Sequence, residues 1–316
     1  MHSLVNYINT CSSRIFTMYD VAILGGGPAG VTAAIYCARY KLKTIVISTD
    51  VGGWAKSANV IENMPSNPAI RGKDLVNNYK EQLKNNDLEL KKETVTELEK
   101  ENDTFLIKTK KGDYKAKYVI YCMGTKKKML NVAGEDKFLG NGIHLCATCD
   151  APFYDGEEVV VVGGNNSGAS AAILLSEFAT KVYLIEVMEK LPMEPVWEER
   201  IEKNEKIQVM TSTSVKEFKG EEELSGVVLS NGTELAVKGA FIEIGSDPNI
   251  SILEPLGAKI DEYKCIDVGS DQKTNVRRLY AAGDVTNNSN NLRQIVSAQG
   301  EGAVAANAVY KEILNE

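Results

Sequence analysis

Histidine is scarce in this chain of 316 residues, with two in all, aromatic residues make up only 7%, and no apolar run is long. An uninterrupted stretch such as Val159–Val162 falls far short of the ~20 residues that cross a bilayer as a helix, so no transmembrane helix is expected. Excess positive charge is also missing. A formal net charge of -7 leaves no broad cationic surface to neutralise phosphates, so nucleic acid and anionic membrane are poor candidate partners. The run Lys126–Lys128 reads as a solvated loop. Cysteine is sparse: Cys11, Cys37, Cys122, Cys146, Cys149 and Cys265, with only Cys146 and Cys149 closely spaced, which excludes a disulfide scaffold. A zinc site is not expected, because that pair would need two more ligands and His144 alone cannot complete the set. A lone C-x-x-C in such a chain reads as redox chemistry.

What is present is ordinary for a soluble protein. The chain is 43% hydrophobic and 25% charged, which argues against wholesale disorder and coiled coil. Its length suits two domains of roughly 100 to 200 residues. Residues 1–17 contain no acid and one arginine, Arg14, a weak likeness to an organelle-targeting leader without the usual Arg density. They are expected to be an extension ahead of Met18.

An internal repeat organises the chain. Val21-Ala-Ile-Leu-Gly-Gly-Gly-Pro-Ala-Gly30 returns as Val159-Val-Val-Val-Gly-Gly-Asn-Asn-Ser-Gly168, an offset of 138 from Gly25 to Gly163. The same offset lays Thr44–Ile47 on Val182–Ile185. Each copy reads strand, glycine turn, Ala-rich helix, strand, the pattern of a parallel βαβ unit buried on both faces. The fold class is therefore α/β with two Rossmann-like, three-layer nucleotide-binding domains. Residues 88–122 and 208–244 alternate polar and apolar positions as short strands. Leu279–Ala281 reads as a strand entering the Gly283-Asp284 turn, and Ala298–Leu314 as a helix. On this reading the second domain is inserted into the first, with crossings near 125–130 and 245–250. The expected parts are 1–17, an amino-terminal extension; 18–127 with 248–316, the first domain; and 128–247, the second.

Gly25-x-Gly27-x-x-Gly30 follows a strand and opens a helix, the context that a dinucleotide fingerprint requires. Gly25 permits the tight turn, Gly27 lets the backbone approach a pyrophosphate, and Gly30 lets helix and strand pack. The helix N-terminus supplies amide donors. The ribose-binding acid expected near position 48 is absent, or displaced to Asp50, which equally reads as a plain turn residue. Cys146-Ala-Thr-Cys149-Asp150 stands just ahead of the second unit. Two thiols so spaced can close a redox-active ring, and Asp150 could move a proton to or from the nearer sulfur.

Taken together, these motifs resemble the low-molecular-weight thioredoxin reductases, and the likeness runs over nearly the whole chain from Met18. Its marks are Gly25-Gly-Gly-Pro28-Ala29-Gly30, Gly52-Gly53, Ile61-Glu-Asn63, Gly124-Thr125, Cys146-Ala-Thr-Cys149-Asp150, Ala282-Gly-Asp284 and Arg293-Gln294. The resemblance implies a homodimeric cytoplasmic flavoprotein that passes electrons through FAD and a Cys146–Cys149 disulfide to a thioredoxin-like protein. It implies an FAD site of Gly25, Gly27, Pro28, Ala29, Gly30, Gly53, Asn63, Gly124, Asp284, Arg293 and Gln294. In it Asn63 lies near the flavin, Asp284 on the ribityl and phosphate portion, and Gln294 near the isoalloxazine edge. It further implies that Cys149 lies nearer the flavin, that Cys146 attacks the thioredoxin disulfide, that Asp150 serves as acid and base, and that the two domains swivel.

The second glycine loop departs from the family. Asn165 replaces the middle glycine, and Glu186-Val-Met188 stands where the family carries a His-Arg-Arg clamp for the NADPH 2′-phosphate. NADH suits Glu186 but conflicts with Asn165; NADPH conflicts with both. A donor such as a reduced ferredoxin accommodates both departures. A dithiol oxidase using oxygen, and a flavin-binding sensor without turnover, are the alternatives on the same scaffold. Trp54 could flank the flavin, although a buried aromatic with a satisfied indole N–H is the plainer expectation. His144 could stabilise a thiolate, although a solvated strand-end histidine is the plainer expectation. Cys122, Cys37 and Cys265 read as core residues.

Overall fold

The computed structural model describes residues 17–316. Cys11 and the amino-terminal extension ahead of Thr17 lie outside the described residues. The first unit begins β1 (Met18–Leu24), α1 (Pro28–Arg39), β2 (Thr44–Ser48), followed by a 3₁₀ turn over Gly53–Ser57. It continues with α2 (Gly72–Asn85), β3 (Glu89–Lys92), β4 (Val95–Glu101), β5 (Thr104–Thr109) and β6 (Asp113–Tyr121). Val21 and Ile23 of β1 pack among α1 residues, while Ala22 and Leu24 pack in a separate cluster on the other face. Burial on both faces is why the strand reads as a continuous apolar run and not as an alternation.

The chain then crosses through β7 (Thr125–Lys127) to a second unit. Its elements are α3 (Glu135–Phe138), β8 (Ile143–His144), α4 (Ala147–Asp150), a 3₁₀ turn Ala151–Tyr154, β9 (Glu158–Val162), α5 (Asn166–Ser176) and β10 (Lys181–Ile185). There follow α6 (Pro195–Glu202), β11 (Ile207–Met210), β12 (Val215–Gly220), β13 (Leu224–Leu229), β14 (Glu234–Leu235) and β15 (Gly239–Ile242). β16 (Ser246–Pro248) brings the chain back, and β17 (Leu279–Ala281) and α7 (Ile295–Leu314) complete the first unit.

The first sheet runs β3-β2-β1-β6, all parallel. Beyond β6 it divides: the amino end of β6 pairs antiparallel with β5, and the carboxyl end pairs parallel with β17. The second sheet runs β11-β10-β9-β15-β8, all parallel, with the antiparallel β12-β13-β14 sheet on one face. The repeat extends to register: Val21 pairs with Thr44 and Val159 with Val182, the same offset of 138 in both partners. The two crossing segments pair with each other, β7 antiparallel to β16. The Lys126–Lys128 run is thus not the expected solvated loop. Lys127 lies in the crossing strand and forms an ion pair with the buried Glu243.

Candidate active site

The turn after β1 is shaped by backbone crowding. Gly25 has φ +110, and a Cβ there would lie 2.1 Å from the Cys122 carbonyl oxygen. A Cβ on Gly30 would lie 1.9 Å from the Gly25 carbonyl oxygen. Gly27 differs: a Cβ there would meet no protein atom within 4 Å, so nothing in the chain itself requires glycine. Gly27 is also the N-cap of α1, and no side chain caps that helix. An open approach to uncapped amide donors is what a pyrophosphate needs.

A cavity of about 500 Å³ lies over this turn. Gly25, Gly27, Pro28, Ala29, Gly53, Gly124, Asp284, Arg293 and Gln294 line it, together with Trp54 and Asp50. Gly30 supports it from behind. Asn63 lines the adjoining interdomain cleft of about 850 Å³ and donates its amide N–H to Gln294 Oε1 at 2.9 Å. The structure thus gathers every residue of the expected cofactor set around two connected spaces. Burial pushes the Asp284 carboxyl up to about 6, against the pull of Arg293 and with Glu301 adding to the rise. Asp50 forms an ion pair with Lys56 at the rim. Trp54 is 41% exposed and not buried as expected, because it lines both spaces; its indole N–H donates to the Thr125 carbonyl oxygen at 2.9 Å.

The second glycine turn has the same backbone but a different occupant. Gly163 again has a positive φ, +113, and Gly168 again backs onto Gly163. Asn165 has φ -81 and ψ -178, close to the -73 and -175 of Gly27. Its Oδ1 accepts from the Ser167 and Gly168 amides at 2.8 and 3.2 Å, and its Nδ2 donates to the Glu243 carbonyl oxygen at 2.5 Å. The chain's own amide therefore occupies the donors that a pyrophosphate would use. Glu186 is buried, with Oε2 accepting from Gly164 N at 2.7 Å and Oε1 from Met188 N at 2.9 Å. Its counterpart across the repeat is Ser48, whose Oγ accepts from Gly26 N at 2.9 Å. The acid thus braces its own loop.

Cys146 and Cys149 are joined by a disulfide at the two ends of the first turn of α4. Cys146 is half-buried and lines the interdomain cleft, while Cys149 is exposed; neither lines the 500 Å³ cavity. Thr148 Oγ1 donates to the Ser57 carbonyl oxygen at 2.6 Å, and Arg200 clasps Glu62 with two hydrogen bonds at 2.7 and 3.2 Å, so both contacts tie the second unit to the first. His144 is not the solvated histidine expected: its ring bonds to Asp150 and to Tyr154. Cys37, Cys122 and Cys265 are buried, as expected of core residues, and burial pushes the Cys37 thiol up to about 12.

One supporting residue was invisible in the motifs. Glu301 is buried on α7, with Oε2 accepting from Gly283 N at 2.7 Å and from Thr286 Oγ1 at 2.8 Å, so it fixes the turn that carries Asp284. The signal was there: an acid stands on the apolar stripe Ala298, Gly302, Ala305, Val309.

The family model described as pyridine nucleotide-disulphide oxidoreductase matches residues 19–302. A thioredoxin reductase of Bacillus subtilis is 35% identical over 95% of this chain and 96% of its own. The thioredoxin reductase of Lactococcus lactis in its FR conformation superposes with TM-score 0.90 at 33% identity, covering 94% of this chain and 100% of that one. A ferredoxin-flavin thioredoxin reductase of Clostridium acetobutylicum is 32% identical over 95% and 99% of the two chains, with TM-score 0.53. Those likenesses and the open, uncapped cradle at Gly27 agree: the chain belongs to the low-molecular-weight thioredoxin reductases, FAD-binding oxidoreductases acting on disulfides.

Proposed function

We propose that this reductase takes its electrons from a donor other than a nicotinamide, a reduced ferredoxin-type protein being the favoured one, and delivers them through Cys146 and Cys149 to a thioredoxin-like protein. The contrast between Gly27 and Asn165 carries this reading. Equivalent backbone positions leave one helix N-terminus open and cap the other with an amide side chain. Glu186, turned onto its own loop, supports it further, as does the lack of a cationic clamp after β10. The ferredoxin named for the Clostridium acetobutylicum relative suits a chain altered in this way.

Bound FAD supplies two-electron exchange with a disulfide and one-electron acceptance from a donor. Gly25 to Gly30 would hold its pyrophosphate, Asp284 its ribityl chain, and Asn63 with Gln294 the ring edge. Cys146 attacks the partner's disulfide; Cys149 then displaces the partner, and Asp150 carries the proton. With the chain divided at 18–127 with 248–316, against 128–247, the β7–β16 pair is read as the hinge of a swivel that would bring Cys149 to the flavin. The TM-scores support such mobility: relatives at 33% and 32% identity superpose at 0.90 and 0.53. Swivelling must break the Arg200–Glu62 and Thr148–Ser57 contacts. The same reading has the protein working as a cytoplasmic homodimer.

The test is an anaerobic titration of the yellow protein with NADPH, NADH and reduced ferredoxin, followed at the flavin band. Ferredoxin is expected to bleach it. Bleaching by NADPH at micromolar concentration would refute the reading of Asn165 and Glu186.

A further inference from the structure

His144 has no assigned part in the chemistry, yet both its ring nitrogens are bonded and its ring face is stacked. Its ring stacks on Phe241 at 5.3 Å between centroids, and Tyr154 meets both rings edge-on. β8 pairs with β15 so that His144 stands opposite Phe241, which sets the backbone as well. From this clamp Nδ1 reaches Asp150 Oδ2 at 3.0 Å, while Nε2 lies 2.5 Å from the Tyr154 hydroxyl. Burial, with Asp150 and Glu223 adding, pushes the Tyr154 hydroxyl up to about 12, so it keeps its proton and can donate to Nε2. With Nε2 accepting from Tyr154, the ring N–H stands on Nδ1 and donates to Asp150 Oδ2. The result is a chain of donors, Tyr154 to His144 to Asp150, ending one residue from Cys149.

We propose that His144, with its ring set by Tyr154, is the positioning residue that holds Asp150 aimed for proton transfer at Cys149. This inference rests on the reading of Asp150 as the acid and base. In that step the Cys149 thiol gives its proton to Asp150 as its sulfur attacks the mixed disulfide between Cys146 and the partner. The Cys146–Cys149 bond forms, the partner's sulfur leaves with the bonding electron pair, and the proton on Asp150 passes to it. The enzyme dithiol is oxidised by two electrons and the partner disulfide is reduced by two. Losing the imidazole removes the hydrogen bond that fixes the Asp150 carboxylate, which is then free to turn away from the sulfur. The titratable groups facing the ring are Asp150 and Tyr154, with Glu223 beyond Tyr154; β15 contributes only Phe241.

The experiment uses FAD-loaded enzyme, reduced anaerobically by light, mixed with oxidised thioredoxin over a range of pH. Its readouts are the limiting single-turnover rate and the half-saturating thioredoxin concentration. His144→Leu is expected to lower the limiting rate about ten-fold across that range, with half-saturation unchanged. His144→Gln, whose amide can still donate to Asp150, should recover most of the rate. In an Asp150→Asn background, His144→Leu should add nothing. A parental limiting rate in His144→Leu beside an inactive Asp150→Asn overturns the inference and leaves Asp150 in its role; a fully active Asp150→Asn overturns that underlying reading instead. If His144→Leu fails to fold, Tyr154→Phe decides: a smaller fall in the limiting rate with half-saturation unchanged supports the proposal, and an unchanged rate overturns it.

Discussion

Asp284→Asn offers a test in which stability and cofactor binding move in opposite directions. In the protein without FAD, burial pushes the Asp284 carboxyl from an ordinary 3.8 to about 6. Above pH 6 the folded state therefore carries a desolvated carboxylate, and the difference of about two pKa units corresponds to about 3 kcal/mol. The sign follows from linkage: a raised carboxyl favours the fold below its unfolded value, and that contribution is lost as pH rises through 6. Replacing it with an amide should thus stabilise the apoprotein by up to about 3 kcal/mol at pH 7.5, by about half at pH 5, and not at all below 3.8. The same change removes the acceptor proposed for the ribityl hydroxyls, so FAD affinity should fall by about ten-fold or more. Urea unfolding of the apoprotein across pH, beside flavin fluorescence titration, reads both quantities. Equal stability of parent and variant at pH 7.5 and 4, or unchanged FAD affinity, would refute the reasoning.

Asn165→Gly keeps the backbone conformation and frees the Ser167 and Gly168 amides; its helix should weaken by about 1 kcal/mol at most, and anaerobic flavin bleaching by NADH should quicken. Glu301→Ala leaves Gly283 N without its buried acceptor and the Thr286 hydroxyl with the Gly283 carbonyl alone, a loss of about 1–3 kcal/mol, with weaker FAD retention on gel filtration. Cys149→Ser is expected to keep the yellow spectrum and lose thioredoxin reduction under every donor, as insulin precipitation assays would show.

Much of this molecule can be read directly from its residues. The glycine turns and the repeat were legible because tight backbone approach permits few alternatives: a Cβ at Gly25 or Gly168 would lie within about 2 Å of a carbonyl oxygen. The expected cofactor residues, scattered from Gly25 to Gln294, converge because the strands that precede them are neighbours in one sheet. What escaped depends on side-chain direction across distant segments. The spacing of Asn165 showed an obstruction, but not that its amide bonds two backbone amides of its own turn and the Glu243 carbonyl beyond β15. Trp54 and His144 looked ordinary, since nothing local tells that the first lines two cavities or that the second spans β8, α4 and the Ala151–Tyr154 turn. Lys127 looked like one of three solvated lysines until its strand brought it to Glu243.

The passage of electrons from flavin to sulfur to partner can be measured without knowing the donor. Holoprotein reduced anaerobically by light is mixed with oxidised thioredoxin, and the thiols of both proteins are trapped and counted by mass spectrometry. The account predicts that the flavin band returns as two thioredoxin thiols appear, through a mixed disulfide at Cys146 that can be trapped in Cys149→Ser. A flavin that stays reduced while the thioredoxin disulfide remains intact would contradict it.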